Sequence, residues 1–529
     1  YGLALIGIFI LCIAWINFIN LSTARAMERA REVGVRKVLG SLIYQLRIQF
    51  ICESFIINII AAILAFTFVQ LTLPYLSTLT NPMQIAPNHK LLFWSLSAAL
   101  LVFGSVLSGL YPAFVLSGFK PTSVLKGKVS TYGKGALLRK GLVVFQFIAS
   151  TIMITGTYVI YQQILYMKNQ DLGVNIDNVL LLDSPPNNVV QANTTLRNSI
   201  NSFKEEVIAL NSVQHMTASS FTPGQPIGWN TVVRKATAGN EELKNIMLIA
   251  CDRDFVNAYD LELVAGHFYR EGESTFSRGD FVINEKALGL FGFETAEDAI
   301  GEKLVEGRMF PDLTIVGVVK DFHQQSLKNR IEPCGFVLSS WSNYYSLALN
   351  IDESLPGDKK AEQLKYAVVE VEGLWDKFFP EAPFDYSFLD QKFDAQYKSD
   401  SEFGTIISFF AIISMAIAGL GLFGLSSYAV IQRTKEIGVR KVLGASISGL
   451  YLLLSSEYLV LISISVAVAL PLGLFGMSKW LESYPYRIEM QWWMFAIPVL
   501  IIAIIAAITV GFQVLKATLK NPVDSLRYE

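Results

Sequence analysis

Hydrophobic and polar positions in this chain separate on the scale of whole segments. Seven stretches, roughly 2–21, 48–73, 92–116, 141–163, 404–428, 447–475 and 492–515, are strongly apolar. Each is long enough to cross a bilayer as a helix, which takes about 20 apolar residues. The connectors between them alternate in character. Residues 22–47 carry Arg25, Arg29, Arg31, Arg36, Lys37 and Arg47, while residues 76–90 are short and nearly uncharged. Residues 117–140 carry Lys120, Lys126, Lys128, Lys134, Arg139 and Lys140; residues 429–446 carry Arg433, Lys435, Arg440 and Lys441; the tail carries Lys516, Lys520 and Arg527. Every second connector is basic, which places these connectors in the cytoplasm and the 76–90 loop, the 476–490 loop and the long polar region 164–402 outside. Trp94, Trp480, Tyr484, Tyr486, Trp492 and Trp493 cluster at the outer ends, where an aromatic belt is expected.

The pattern inside 164–402 is that of an α+β domain. Val179–Leu182, Leu313–Val319 and Tyr345–Ile351 are apolar or alternating, as strands are. Thr194–Leu210 reads as a helix and Thr222–Trp229 as a loop. Lys359–Phe379 places Leu364, Val368, Val371, Trp375 and Phe378 on one helical face. About 230 residues can hold two small subdomains. The fourth span meets no Pro or Gly until Gly173, so its helix is expected to leave the membrane as a stalk. Gln391–Phe403 reads as a helix returning into the fifth span.

Composition agrees with this division. Hydrophobic residues make up 52% of the 529 and charged residues only 17%, below the ~25% of soluble proteins. The net charge of −2 hides an asymmetry, because 36 of the 45 acidic residues but only 21 of the 43 Lys and Arg lie in 164–402. Basic residues that flank apolar spans argue against nucleic-acid binding. The chain opens at Tyr1 almost inside an apolar run, so further residues are expected before it. Cys12 and Cys52 fall in apolar segments, while Cys251 and Cys334 fall in the polar region, where pairing is an open alternative.

One phrase occurs twice. Gly34-Val35-Arg36-Lys37-Val38-Leu39-Gly40 returns as Gly438-Val439-Arg440-Lys441-Val442-Leu443-Gly444, 404 positions later. Glu32 and Glu436 precede the copies, and Glu53 and Glu457 follow at the same offset, so a whole unit is duplicated. Glu32 with Arg36, and Glu436 with Arg440, have the favourable i,i+4 order on a helix. Gly40 and Gly444 are placed to end it in a left-handed cap. A basic interfacial helix on anionic lipid would explain the Arg and Lys residues. It would not explain reuse of the same Gly, Val and Leu, which a protein partner with two matching grooves would. Glu53 and Glu457, near the cytoplasmic ends of apolar helices, are read as holding each connector to its span; solvation at headgroup level and an ion path are the alternatives.

Enzymatic signals are weak. Asp321-Phe322-His323, His267 and Cys334 do not form a recognised catalytic pattern, and there is no His-x-x-x-His, Cys-x-x-Cys, Gly-x-Ser-x-Gly or phosphate-loop motif. No catalytic, cofactor-binding or metal-ligating residue is assigned in this chain.

The segments Arg31–Ser41 and Lys435–Ala445 resemble the cytoplasmic signature of FtsX-like permeases of MacB-type ABC transporters. Leu138–Phe147 resembles the opening of the stalked first span in that family. Asn521–Arg527 is similar to its C-terminal ending, with Lys120–Lys126 as the first-half counterpart. The resemblance implies seven helical spans with an α+β extracytoplasmic domain of MacB periplasmic-core type. Residues 1–118 then correspond to the last three spans of a first unit, 119–140 to a cytoplasmic linker, 141–173 to the stalked helix, 174–390 to the external domain, and 391–529 to the stalk return and the second three-span unit. It also implies a separate cytoplasmic ABC ATPase that holds ATP and Mg and docks on Glu32, Gly34, Arg36, Lys37 and Gly40, and on Glu436, Gly438, Arg440, Lys441 and Gly444. The resemblance further implies a bacterial inner membrane location, mechanical coupling of hydrolysis to the external domain, and adaptor or envelope partners. A membrane-anchored sensor with a ligand-binding external domain is the alternative. A secondary transporter would show charged residues beside Pro471 and Pro498, and none is there.

Overall fold

The computed structural model describes residues 2–79, 90–117, 134–185, 194–307, 309–339 and 342–518. The first-half run Lys120–Lys126, most of the 119–140 linker and the ending Asn521–Arg527 lie outside these residues. The chain divides into two compact units, Tyr1–Gln162 with Asp400–Leu481 and Glu489–Glu529, and Gln163–Ser399 with Glu482–Ile488. The longer helices are α1 (Gly2–Val38), α2 (Ile43–Leu79), α3 (Lys90–Ser117), α4 (Lys134–Asn169), α5 (Thr194–Ile208), α6 (Gly357–Phe378), α7 (Leu389–Gln432), α8 (Thr434–Val442), α9 (Ile447–Leu481) and α10 (Trp493–Thr518).

Six stretches among the described residues are long and apolar enough to cross a membrane: Ile43–Pro74, Leu91–Leu110, Arg139–Asn169, Leu389–Ser427, Ser455–Leu481 and Trp493–Lys516. The expected count was seven. The first, 2–21, lies in the continuous helix α1, where Ile6–Ser22 is the apolar stretch among the described residues. Helices suit the apolar segments because they satisfy every backbone group internally. Pro471 and Pro498 sit inside α9 and α10 without ending them. The main core of the helical unit joins Val143, Phe147 and Ile154 of α4, Leu422 and Leu425 of α7, Ile437 of α8, Leu461 and Ile462 of α9 and Val510 of α10. Polar links run between its helices: the Ser150 and Ser414 hydroxyls lie 2.9 Å apart, and the Ser465 hydroxyl donates to the Val144 carbonyl at 3.1 Å.

The second unit is α+β. Its strands are β1 (Val179–Asp183), β2 (Val213–Ser219), β3 (Asn230–Lys235), β4 (Lys244–Cys251), β5 (Leu263–Gly266), β6 (Asp280–Asn284), β7 (Lys303–Val305), β8 (Leu313–Val319), β9 (Cys334–Leu338), β10 (Tyr344–Leu349) and β11 (Tyr386–Phe388). They form one hydrogen-bonded sheet in the order β11-β1-β10-β2-β4-β3-β7-β8-β6-β9, with β5 on β8. A further pairing of β9 with β4 closes β4-β3-β7-β8-β6-β9 into a ring. The two expected subdomains are thus two lobes of one sheet: an open lobe of β11, β1, β10 and β2, covered by α5 and α6, and a closed lobe.

Alternation explains why β4 reads as an almost unbroken apolar run. Ile246 and Leu248 enter one core, while Met247, Ile249 and Cys251 face the other, as a two-residue period requires. In the open lobe, Val368, Val371 and Trp375 of α6 are buried against Phe203 of α5 and Tyr345 and Leu347 of β10, with Leu364 and Phe378 partly buried. Cys251 and Cys334 are both free and buried. Parallel register sets Cys251 beside Leu338 and Cys334 beside Met247, so the pairing left open by the sequence is not made.

A small cluster in this unit gathers Met167 at the end of α4, Leu327, Tyr397 of α7, and Tyr484 and Tyr486 of the α9–α10 loop. Tyr486 packs edge-on against His323 with ring centroids 4.8 Å apart. Tyr484 and Tyr486, expected in the aromatic belt, therefore pack on protein. Gln163 is fully buried; its Nε2 donates to the Tyr486 carbonyl and its Oε1 accepts from the Ile488 N–H, both at 2.9 Å. Gln163→Leu would leave both backbone groups unsatisfied, at a cost of about 1–3 kcal/mol each. Amide hydrogen exchange across 484–488 is expected to accelerate at least about tenfold; unchanged protection would show that the loop is held by its tyrosines alone.

Candidate coupling surface

The two copies of the repeated phrase fold alike. Residues 32–38 end α1, and residues 436–442 form most of α8. In the first copy the Gly40 N–H donates to the Lys37 carbonyl at 3.1 Å and the Ser41 N–H to the Arg36 carbonyl at 3.0 Å. In the second, Gly444 donates to Lys441 at 3.1 Å and Ala445 to Arg440 at 2.9 Å. This is the Schellman ending, which needs a residue in the left-handed region; Gly40 has φ +96° and Gly444 φ +88°.

The ion pairs also recur, with Arg36 2.6 Å from Glu32 and Arg440 2.8 Å from Glu436. Both are exposed i,i+4 pairs, worth a few tenths of a kcal/mol, about 0.3–0.5. One apolar residue anchors each copy, Val33 (2% exposed) and Ile437 (5%). The side chains beyond them point outward: Val38 is 64% and Leu39 80% exposed, and Val442 66% and Leu443 80%. Each copy therefore presents an apolar knob beside a basic helix end. The sequence pointed to the charged residues and glycines and used Val and Leu only as part of the repeated phrase; the fold adds that Val38, Leu39, Val442 and Leu443 are exposed. Their signal was an apolar pair facing away from the buried Val33 and Ile437.

The copies differ in mounting. The first is the unbroken end of α1, whereas α7 stops at Gln432 and α8 starts at Thr434, with Arg433 between them. Arg36 also donates to Gln49 Oε1 at 2.9 Å, and the equivalent position is Leu453. Partial burial, followed by the nearby charge of Arg47, lowers Lys37 from the usual lysine value. Lys441 is half-buried, and Gly34 and Gly438 lie within their helices. Glu457 lies 2.8 Å from Lys140 at the start of the α4 span and 3.4 Å from Arg433 at the head of α8. It thereby links two helices to α9. Glu53 occupies the same place on α2 and is half-buried.

The residues considered for catalysis have separate partners. His267 pairs with Glu273 at 2.7 Å, and Asp321 accepts from the Lys286 N–H at 2.7 Å. His323 and Cys334 line one cavity of about 20 Å³. Burial, then the charges of Asp321 and Glu332, push the Cys334 thiol far up, away from its nucleophilic form. Among the described residues, no group of three or more His, Cys, Asp and Glu is arranged to hold a metal.

Residues 4–121 and 408–522 each match the family described as FtsX-like permease C-terminal. The matches begin 404 positions apart, the offset of the repeated phrase. The chain carries two segments of the FtsX-like permease C-terminal type. The permease is 26% identical over 295 residues to the uncharacterized ABC transporter permease YvrN of Bacillus subtilis (strain 168), covering 53% of this chain and 69% of that one. It is 23% identical over 301 residues to the macrolide export ATP-binding/permease protein MacB of Chromobacterium violaceum, covering 54% and 44%. It is 22% identical over 200 residues to the probable syringafactin export ATP-binding/permease protein SyfD of Pseudomonas syringae pv. tomato, covering 35% of this chain and 27% of that protein. The permease thus spans only about a quarter of the length of that last relative. Among solved structures, the periplasmic region of MacB from Actinobacillus actinomycetemcomitans aligns with TM-score 0.27 and 12% identity, covering 42% of this chain and 94% of that one.

Proposed function

We propose that the permease is the transmembrane subunit of a MacB-type ABC transporter and couples ATP hydrolysis on a separate cytoplasmic ATPase to movement of its external unit. The observation that carries this reading is the doubled connector: two copies with the same helix ending, ion pair and exposed Val-Leu knob offer equivalent faces to two copies of one partner. ATP and Mg belong to that partner. The basic connectors are cytoplasmic, the membrane is the bacterial inner membrane, and the acidic second unit is periplasmic. All seven expected spans cross, α1 among them.

Movement enters at the connectors. α4 and α7 are single helices that run from the helical unit into the second unit, since the division falls at Gln162/Gln163 and Ser399/Asp400. A helix transmits displacement along its axis because each turn is hydrogen-bonded to the next. The work done outside is drug or peptide efflux, lipoprotein release or control of a cell-wall hydrolase, with adaptor or envelope proteins as outer partners. The test is co-purification of the full-length permease with the ABC ATPases of its host. A stable complex whose ATP turnover changes with the permease is expected; no ATPase bound under any nucleotide condition would overturn the reading.

A further inference from the structure

The seam between the duplicated halves of the helical unit carries polar groups that the connectors do not explain. Asn17 and Asn20 lie one turn apart on α1, inside its apolar stretch Ile6–Ser22. Asn20 is fully buried, and neither its Oδ1 nor its Nδ2 has a hydrogen-bond partner. The Oδ1 of Asn17 is buried without a partner as well. The offset of 404 residues relates Asn17 to Gly421 and Asn20 to Gly424 on α7. These glycines are where α1 approaches. A Cβ on Gly421 would stand 2.6 Å from Asn17 Oδ1, and one on Gly424 would overlap the Leu21 side chain.

Asn17 and Gly421 are equivalent positions that touch, which places a local pseudo-two-fold axis between the halves. The first half supplies amides and bulk, and the second supplies glycines that let the helices come close. Gln146 of α4 closes a third side. Its Nε2 donates to the Ile417 carbonyl at 3.2 Å and lies 3.1 Å from the position of a Gly421 Cβ. An unpaired amide inside a membrane protein is costly. These atoms also touch no water-sized space, so hydration cannot relieve them in this packing. Because α1 runs unbroken into the first connector, any turn or tilt of that connector shifts Asn17 and Asn20 against α7.

We propose that Asn17 and Asn20 are positioning residues that bias the α1–α7 seam toward a second packing, in which their amides are hydrated or paired, so that movement of the first connector reaches the second half. The identity of what drives the connector rests on the coupling reading above; the seam equilibrium is a property of this chain alone.

The experiment uses the full chain in lipid nanodiscs without any ATPase. Cys12 and Cys52 are changed to Ser, and Leu21→Cys reports seam opening through its rate of alkylation by a membrane-permeant maleimide. If that reporter does not assemble, Leu425→Cys, its duplicate position on α7, replaces it. Asn20→Leu keeps a γ-branched shape and removes the unpaired amide. It is expected to raise the thermal midpoint and slow alkylation by about fivefold or more, while Asn20→Gln keeps the faster rate. A lowered midpoint with an unchanged or faster rate would overturn the proposal and make Asn20 an ordinary packing residue. Because no ATPase is present, a failed coupling reading leaves this result intact, and a failed seam result leaves the coupling reading standing.

Discussion

Changing Leu39 and Leu443 to glutamate together is expected to abolish stable binding of the ATPase, with a loss of about 10²-fold or more in affinity. A carboxylate left unsatisfied in an apolar pocket costs about 1–3 kcal/mol or more, and this variant places one at each of two sites. Both side chains are 80% exposed at a helix end, so the permease itself loses no packing and membrane insertion is expected to be normal. Arg36→Glu with Arg440→Glu is the informative comparison. Each arginine already pairs with a glutamate of its own helix, so part of its charge is satisfied before a partner arrives. The arginine variant is expected to weaken association less than the leucine variant and to show the stronger salt dependence. Affinity is measured by titrating purified ATPase onto nanodisc-embedded permease at two salt concentrations. If the leucine variant binds as wild type does while the arginine variant does not, docking is electrostatic and the apolar knobs meet lipid.

The second large effect concerns the external unit. Trp375→Ala is expected to destabilise it by about 3–5 kcal/mol, a large fraction of the ~5–15 kcal/mol that holds a domain folded. Trp375 is 1% exposed. Its ring meets Phe379 at 4.9 Å, Phe203 at 5.6 Å and Phe384 at 6.0 Å, and its Nε1 donates to the Ala382 carbonyl at 3.0 Å. The truncation therefore opens a cavity where α5, α6 and the open lobe of the sheet converge. Trp375→Phe keeps most of that volume and loses the hydrogen bond, so about 1 kcal/mol is expected. Limited proteolysis of the reconstituted full chain against temperature reads both. Trp375→Ala is expected to be cut within α5 and α6 well below the temperature at which wild type is cut. Equal resistance would mean that the lobe repacks around the loss.

How much could be read in advance differed with the kind of order involved. Periodicity located α6 and its buried face, because a 3.6-residue repeat of Val368, Val371 and Trp375 has one outcome on a helix packed against a sheet. It also located β8, whose bounds are those of the apolar run Leu313–Val319. It did not show the closure of β4-β3-β7-β8-β6-β9 into a ring, because pairing between β4 and β9 joins residues more than 80 positions apart and leaves no local mark. The same limit applied to Cys251 and Cys334: only the parallel register of their strands shows that they stand beside Leu338 and Met247 rather than each other.

The duplicated phrase was legible as a repeated helix ending, down to the Schellman glycines, since a repeated helix-ending pattern must fold the same way twice. The exposure of its side chains was not. Whether Arg36 or Leu39 is the more available group depends on which neighbours cover it, and in sequence Glu32 beside Arg36 looks the same whether the pair is open or closed. The seven apolar segments likewise showed that the chain lies in a membrane, because composition alone decides partition into lipid. That Asn17 meets Gly421 and Leu21 meets Gly424 is decided only by packing. By itself, then, the sequence determined what depends on local period, composition and repetition: the membrane helices, the α+β external unit and the doubled connector. The tertiary structure decided what depends on distant contacts and on exposure: the ring, the free cysteines, the Gln163 link to the 482–488 loop, the outward leucines and the amide seam.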